Sequence, residues 1–239
     1  MTTNRVFRAV TLGIALSALC GAGVIADLVS DFQPVAFPPG WQYLRNTGPI
    51  GTSANYVQLL WDVGSDRYDV TGAGTPAVVP TGLDYTQLTS SGTTHPGQGI
   101  AQGAPENRYF IAAYTVQAGE NGLVSVSGTL TGLDRSGAGG NSNGWDIRVF
   151  VGDTQAGGTQ IFPWSTSAGP FAQALGLLDV GDEIYVALGP NGSHLFDSAR
   201  LSLQLTSSTI PEPTTILTCA LGMALLAIHG LRRQQSKLN

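Results

Sequence analysis

A chain of 239 residues has room for one large domain plus processing segments. Its 32 glycines, 13 prolines and charged content of 11% exclude a protein of long solvated helices, which need Glu, Lys and Arg on their exposed faces. Between residues 27 and 210 six arginines face fifteen carboxylates, a net charge of about −9, which repels nucleic acid and anionic headgroups.

The N-terminus carries Arg5 and Arg8, then the apolar stretch AVTLGIALSALCGAGVIA, which meets a polar chain after Ala26. A basic region, an apolar region and a small-residue site make a secretory signal peptide, expected to form a signal helix over residues 1–26. The alternative is an uncleaved anchor. Leu19 stands before Cys20 where a lipoprotein signal would carry a small residue. Both cysteines, Cys20 and Cys219, fall in apolar end segments, so an exported domain over 27–210 has no disulfide, thiolate metal site or Cys nucleophile. Its stability must come from a hydrophobic core, and its length is enough to build one.

Within that domain, DFQPVAFPPGWQYLRNTGPIG is turn-rich and holds Trp41 and Tyr43, and YVQLLW (Tyr56–Trp61) has the character of one short strand. Residues 64–103 read as loop, but a loop that long is uncommon in a compact domain, so strands are expected at AVV and DYTQLT. RYFIAAYTV is a buried strand, and GLVSVSGTL a half-buried one. WDIRVFV alternates, with Trp145, Ile147, Val149 and Val151 on one side and Asp146, Arg148 and Phe150 on the other. GTQIF, FAQALGL, DEIYVALG and ARLSLQL follow at about ten-residue spacing, and Ile184, Val186 and Leu188 share a face. Short strands at this spacing, without helical periodicity, predict an all-β, antiparallel β-sandwich or barrel.

Several constellations invite chemistry. Gly140-Asn141-Ser142-Asn143-Gly144 spells G-x-S-x-G, but a nucleophile elbow needs a strand before it and a helix after it, and here a strand follows. His95 and His194 sit beside turn residues with no partner legible. Asp62, Asp66 and Asp69, and Asp179, Asp182 and Glu183, are carboxylate groups of the kind a glycosidase pairs across a cleft, yet they fall at turns, where Asp bonds local backbone. Oxygen ligands in NSNGWD (Asn141, Asn143, Asp146) and DVGSDRYD could hold a structural calcium without forming an EF-hand; no other cofactor is expected. Sugar rings pack their C–H faces on aromatic rings, which makes Trp164, Trp41 and Tyr43 the candidate carbohydrate-binding residues. Trp61 and Trp145 are expected in the core.

The chain ends with Pro211-Glu212-Pro213, an apolar run from Ile216 to Gly230, and Arg232-Arg233. As a helix that run is about 22 Å long, short for a hydrocarbon core of about 30 Å unless Thr214, Thr215 and Leu231 join it, giving a segment over 214–231. Arg232 and Arg233 would stay cytoplasmic, leaving residues 27–210 outside. This order resembles the PEP-CTERM sorting signal of Gram-negative bacteria, over roughly the last 25 residues. His229 near the end of the run and the extension QQSKLN depart from the usual pattern. The resemblance implies recognition by exosortase, a membrane cysteine-protease-like enzyme, and an exopolysaccharide-rich surface. DVGDEIYVALGPNG with FDSARLSLQL is similar to the closing strands of jelly-roll modules of secreted polysaccharide-associated proteins, a looser resemblance over most of residues 31–205 that implies a jelly-roll-like sandwich.

The expectation is therefore a signal peptide (1–26), an exported β-sandwich (27–210) and a sorting tail (211–239) ending in an apolar helix. The protein would be transiently anchored in the inner membrane and delivered to the cell surface or extracellular matrix. Its expected role is non-catalytic, with polysaccharide binding, and its expected partners are exosortase and exopolysaccharide. A purely structural or adhesive role is the alternative, and a glycan-active enzyme the third reading.

Overall fold

The fold comes from a computed structural model, which describes residues 22–73, 77–79, 82–133, 143–163, 168–193 and 197–208. The signal segment up to residue 21 and the tail from 209, with Pro211, Glu212, Pro213, Arg232 and Arg233, lie outside the described residues. One compact unit runs Gly23–Ser207, so it begins before the expected domain start at Asp27.

In chain order the strands are β1 (Gly23–Asp27), β2 (Trp41–Asn46), β3 (Tyr56–Gln58), β4 (Leu60–Asp62), β5 (Arg67–Asp69), β6 (Ala77–Val79), β7 (Gly82–Asp84), β8 (Gln87–Thr89) and β9 (Thr93–His95). Then come β10 (Phe110–Thr115), β11 (Gly122–Gly132), β12 (Trp145–Val151), β13 (Thr154–Gln155), β14 (Gln160–Phe162), β15 (Gly169–Leu178), β16 (Glu183–Gly189) and β17 (Ala199–Ser208). Among the described residues there is no α-helix. The strands form two large antiparallel sheets packed as a sandwich, plus the small ribbon β6–β7. One sheet has eight strands in the order β15-β11-β17-β9-β8-β5-β4, with β1 also on β17. The other has seven, β13-β12-β16-β10-β2-β3, with β14 on β12.

Alternation along the strands builds the core. Phe110, Ala112 and Tyr114 of β10, Trp145, Ile147 and Val149 of β12, and Ile184, Val186 and Leu188 of β16 point inward. They meet Val124, Val126 and Leu130 of β11 and Leu201, Leu203 and Leu205 of β17. The outward residues of β17 face water, as the two-residue period requires.

The seven-stranded sheet departs from that simple picture, because its outer face is buried too. Leu44, Tyr109, Ile111, Ala113, Phe150, Tyr185 and Ala187 form a second cluster there, with Ile50 and Tyr56 packed against it. The segment between β2 and β3 covers this face. Thr47 N–H donates to Asn55 O at 2.8 Å, and Tyr56 sits edge-on to Tyr185 with ring centroids 5.1 Å apart. This double burial explains why RYFIAAYTV and EIYVALG are apolar throughout.

YVQLLW is not one strand but two. Its first half joins the seven-stranded sheet beside β2, and its second half joins the eight-stranded sheet beside β5. Leu59, fully buried, sits where the chain crosses between sheets, and its N–H donates to Tyr43 O at 2.8 Å. Between residues 64 and 103 strands occur at AVV and within DYTQLT as expected, and β5, β7 and β9 add three more.

Candidate functional site

A cleft of about 460 Å³ opens where the segment after β1 meets the turn after β10. Ile25, Ser30–Gln33, Pro38 and Pro39 line one side, and Tyr114, Gln117 and Glu120 the other.

Turn chemistry shapes the first wall. Asp27 Oδ1 accepts the N–H groups of Val29 (3.0 Å) and Ser30 (2.9 Å), the local bonding that makes Asp favourable at the start of a turn. Its Oδ2 accepts from Gln204 Nε2 at 2.7 Å. Burial pushes the Asp27 carboxyl up, but the bonds from Ser30, Gln204 and Val29 outweigh it and hold the group below the ordinary aspartate value. Val35, 73% exposed, takes φ +71°, and Ala36 N–H donates to Pro34 O at 2.8 Å, closing a tight three-residue turn. A β-branched residue is strained there, and such strain clusters at binding segments.

On the second wall, Tyr114 OH donates to Glu120 (2.9 Å to Oε1, 2.8 Å to Oε2), and Gln117 N–H donates to Glu120 Oε2 at 2.8 Å. Burial, then Glu120, raise the Tyr114 hydroxyl well above its ordinary range. Gly40, at φ +80°, lies against this ring: a Cβ there would come within 2.6 Å of it. Across the cleft, Asp31 Oδ2 accepts from Trp41 Nε1 at 3.0 Å and from Asp27 N–H at 2.8 Å.

Beneath the cleft lies an aromatic cluster. Phe32 stacks on Tyr43 at 5.9 Å, Phe37 on Tyr68 at 5.0 Å, and Trp41 meets the edge of Tyr114 at 5.1 Å. This corrects the expectation for two ring residues. Trp41 is 2% exposed and Tyr43 0%, so neither presents a face to a sugar. They point inward because both are on the core-facing parity of β2. Trp41 still reaches the cleft indirectly, by orienting Asp31. Trp164 lies outside the described residues, as does His194. Trp145 is fully buried, as expected, whereas Trp61 is only half-buried and packs against the edge of the core.

Sequence reasoning missed the cleft. Asp31, Gln33, Gln117 and Glu120 belong to no motif, and the two pairs are more than eighty residues apart. The segment DFQPVAFPPGWQYLRNTGPIG read as turn-rich, but nothing marked its partner.

The other constellations resolve into structure. Asp146, 2% exposed, accepts from Tyr109 OH (2.8 Å), Arg148 Nε (2.9 Å) and Asn191 N–H (3.1 Å). It is committed to the fold rather than offered to a cation. Asp62 Oδ1 accepts from Gly64 N–H at 2.9 Å, and Asp69 Oδ1 from Thr71 and Gly72 N–H at 2.9 and 2.6 Å. Asp182 Oδ2 accepts from Asp179 N–H at 2.8 Å, and Glu183 from Tyr185 OH. Among the described residues no group of three or more His, Cys, Asp or Glu could hold a metal ion. Gly144 of the G-x-S-x-G string runs straight into β12, the geometry of a strand entry and not of an elbow. His95 Nδ1 bonds Pro96 O beside its own turn.

No protein-family model matches this chain, and no curated protein matches it. Among solved structures, one described as the crystal structure of the Agl-KA catalytic domain aligns at a TM-score of 0.25 and 19% identity. The alignment covers 44% of this chain and 22% of that one. A likeness at that score carries no argument about activity.

Proposed function

We propose that this is an exported, non-catalytic surface or matrix protein whose jelly-roll-like sandwich binds polysaccharide in the cleft between Asp31 and Glu120. The apolar N-terminal segment supplies the export signal, and the PEP-CTERM-like tail, with its apolar helix over 214–231, delivers the chain to exosortase at the inner membrane. The observation that carries the binding proposal is the lining of the cleft. Ser30, Asp31, Gln33, Gln117 and Glu120 crowd hydrogen-bonding groups around an open volume that also reaches Phe32 and Tyr114. Small-molecule sites are concave and combine a few placed polar groups with rings, and sugar hydroxyls need both donors and acceptors. Two carboxylates on facing walls favour neutral or amino-bearing polymers over polyuronates.

Two carboxylates in one cleft also raise glycoside hydrolysis. Hydrolysis needs one of them to present a proton to the leaving oxygen. Here Asp31 and Glu120 are both acceptors for structural donors, which supports binding over catalysis.

Titration of the folded protein against neutral, amino-bearing and uronic-acid polysaccharides, with and without calcium, tests the reading. Saturable binding to a neutral or amino-bearing polymer without new reducing or unsaturated ends is expected. Release of such ends would make the protein an enzyme, and no binding would favour the structural role.

A further inference from the structure

The first strand conflicts with an export signal that ends at Ala26. β1 pairs with the last strand through Gly23↔Ser207, Val24↔Thr206, Ala26↔Leu205 and Asp27↔Gln204, with a bulge between Val24 and Ala26. Ala26 is 3% exposed and belongs to the main core, and Ile25 packs against it. Ile25 O accepts from Tyr114 OH at 3.4 Å, and Ile25 lines the cleft. Cleavage after Ala26 would open a slot over Leu205, remove Ile25 from the cleft and expose the unpaired edge of β17 at residues 204–207, a template for unwanted strand pairing.

We propose that the signal segment is severed at Ala22–Gly23 and that Gly23–Asp27 stays in the mature protein as its N-terminal strand. Hydrolysis by the host's signal peptidase adds water across that peptide bond, leaving a carboxylate on Ala22 and a free amino group on Gly23. The sequence around that bond suits the enzyme. Cys20 and Ala22 stand at the third and first positions before it, both small. The apolar region then runs from Ala9 to Leu19, within the usual ~7–15 residues, whereas a region reaching Ile25 would exceed it. The compact unit begins at Gly23, and both Ala22 and Gly23 are exposed, so the new ammonium group emerges into water. Val24, Ile25 and Ala26 are apolar because they form a strand, not because the signal continues.

This proposal rests on the export reading, and one experiment separates the two. The full-length chain is produced in a Gram-negative host, the exported form is recovered, and its first residue is determined by N-terminal sequencing and intact mass. Gly23 is expected. Asp27, or any residue beyond Gly23, would overturn the proposal while leaving export standing. An exported form that still begins at Met1 would overturn the cleavage while leaving export standing, and recovery of the chain from the cytoplasm alone would overturn both. Ala22→Gln places a bulky residue beside the bond at a solvent-facing position. It should cause unprocessed precursor to accumulate at least tenfold, and unchanged processing would also count against the proposal.

Discussion

Tyr43 and Tyr114 lie within one aromatic cluster yet make opposite demands on their hydroxyls. Tyr43 OH is buried with no hydrogen-bond partner among the described residues, while Tyr114 OH is held by Glu120. Leaving a buried hydroxyl unpaired costs about 1–3 kcal/mol, so removing it relieves a penalty. Tyr43→Phe should leave stability unchanged or raise it by up to about 1 kcal/mol, whereas Tyr114→Phe should lower it by about 1 kcal/mol, both read from urea midpoints. Asp146 is the other residue on which much depends. Asp146→Ala leaves Tyr109 OH without its acceptor in the outer cluster and Arg148, which lies 5.4 Å from the Tyr109 ring centroid, without its carboxylate. A loss of about 2–3 kcal/mol is expected in the same measurement, discounted because Arg148 is partly in water.

At the scale of elements, β11 and β17 show how tightly the eight-stranded sheet is set. A Cβ on Gly128 would stand 2.2 Å from Ser202 O and 2.6 Å from the Phe171 ring, so a side chain there must push backbone apart. Gly128→Val should cost at least about 3 kcal/mol or prevent folding, read by thermal melting and soluble yield, despite valine's strand preference. Long strands such as β11, β12 and β17 were legible because their sequences alternate over seven or more residues, and β16 because its apolar run is long and bounded by turn residues. The three-residue strands β5, β7 and β9 were not, since so short a segment shows no period and is specified by neighbours distant in sequence. YVQLLW misled for a related reason. Leu59 and its flanking residues satisfy one strand's pattern, and only the two sheets reveal that the chain changes partners there. In β1 an apolar strand directly follows an apolar signal, and composition draws no line between them.

At the scale of the whole molecule, acidic and phenolic groups bracket the pH range of stability. Asp27, Asp62 and Asp153 are held below the ordinary aspartate value, with Ser65 the main cause at Asp62 and Ser53 N–H at Asp153. Their contribution is present above about pH 4 and lost as pH falls through the folded-state values. Tyr43, Tyr109, Tyr114 and Tyr185 are raised, chiefly by burial. Their contribution is intact below about pH 10 and lost as pH rises above it. Circular dichroism should show a plateau between roughly pH 5 and 9, with tyrosinate absorbance above pH 10 rising in step with the loss of structure. The sandwich was legible in the spacing of strands and turns, but the cleft was not, because its two walls meet only when β1, β2 and β10 are assembled. The most direct test of the proposed function is to titrate the mature protein and a Gln33→Ala, Gln117→Ala double variant, side by side, against a neutral or amino-bearing matrix polysaccharide. Gln33 is exposed, and Gln117 gives up one bond, from Nε2 to Thr115 O at 2.6 Å, so a melting temperature lowered by a few degrees at most and at least tenfold weaker binding by the variant are predicted. Identical affinities, or no binding by either folded protein, would contradict the proposal.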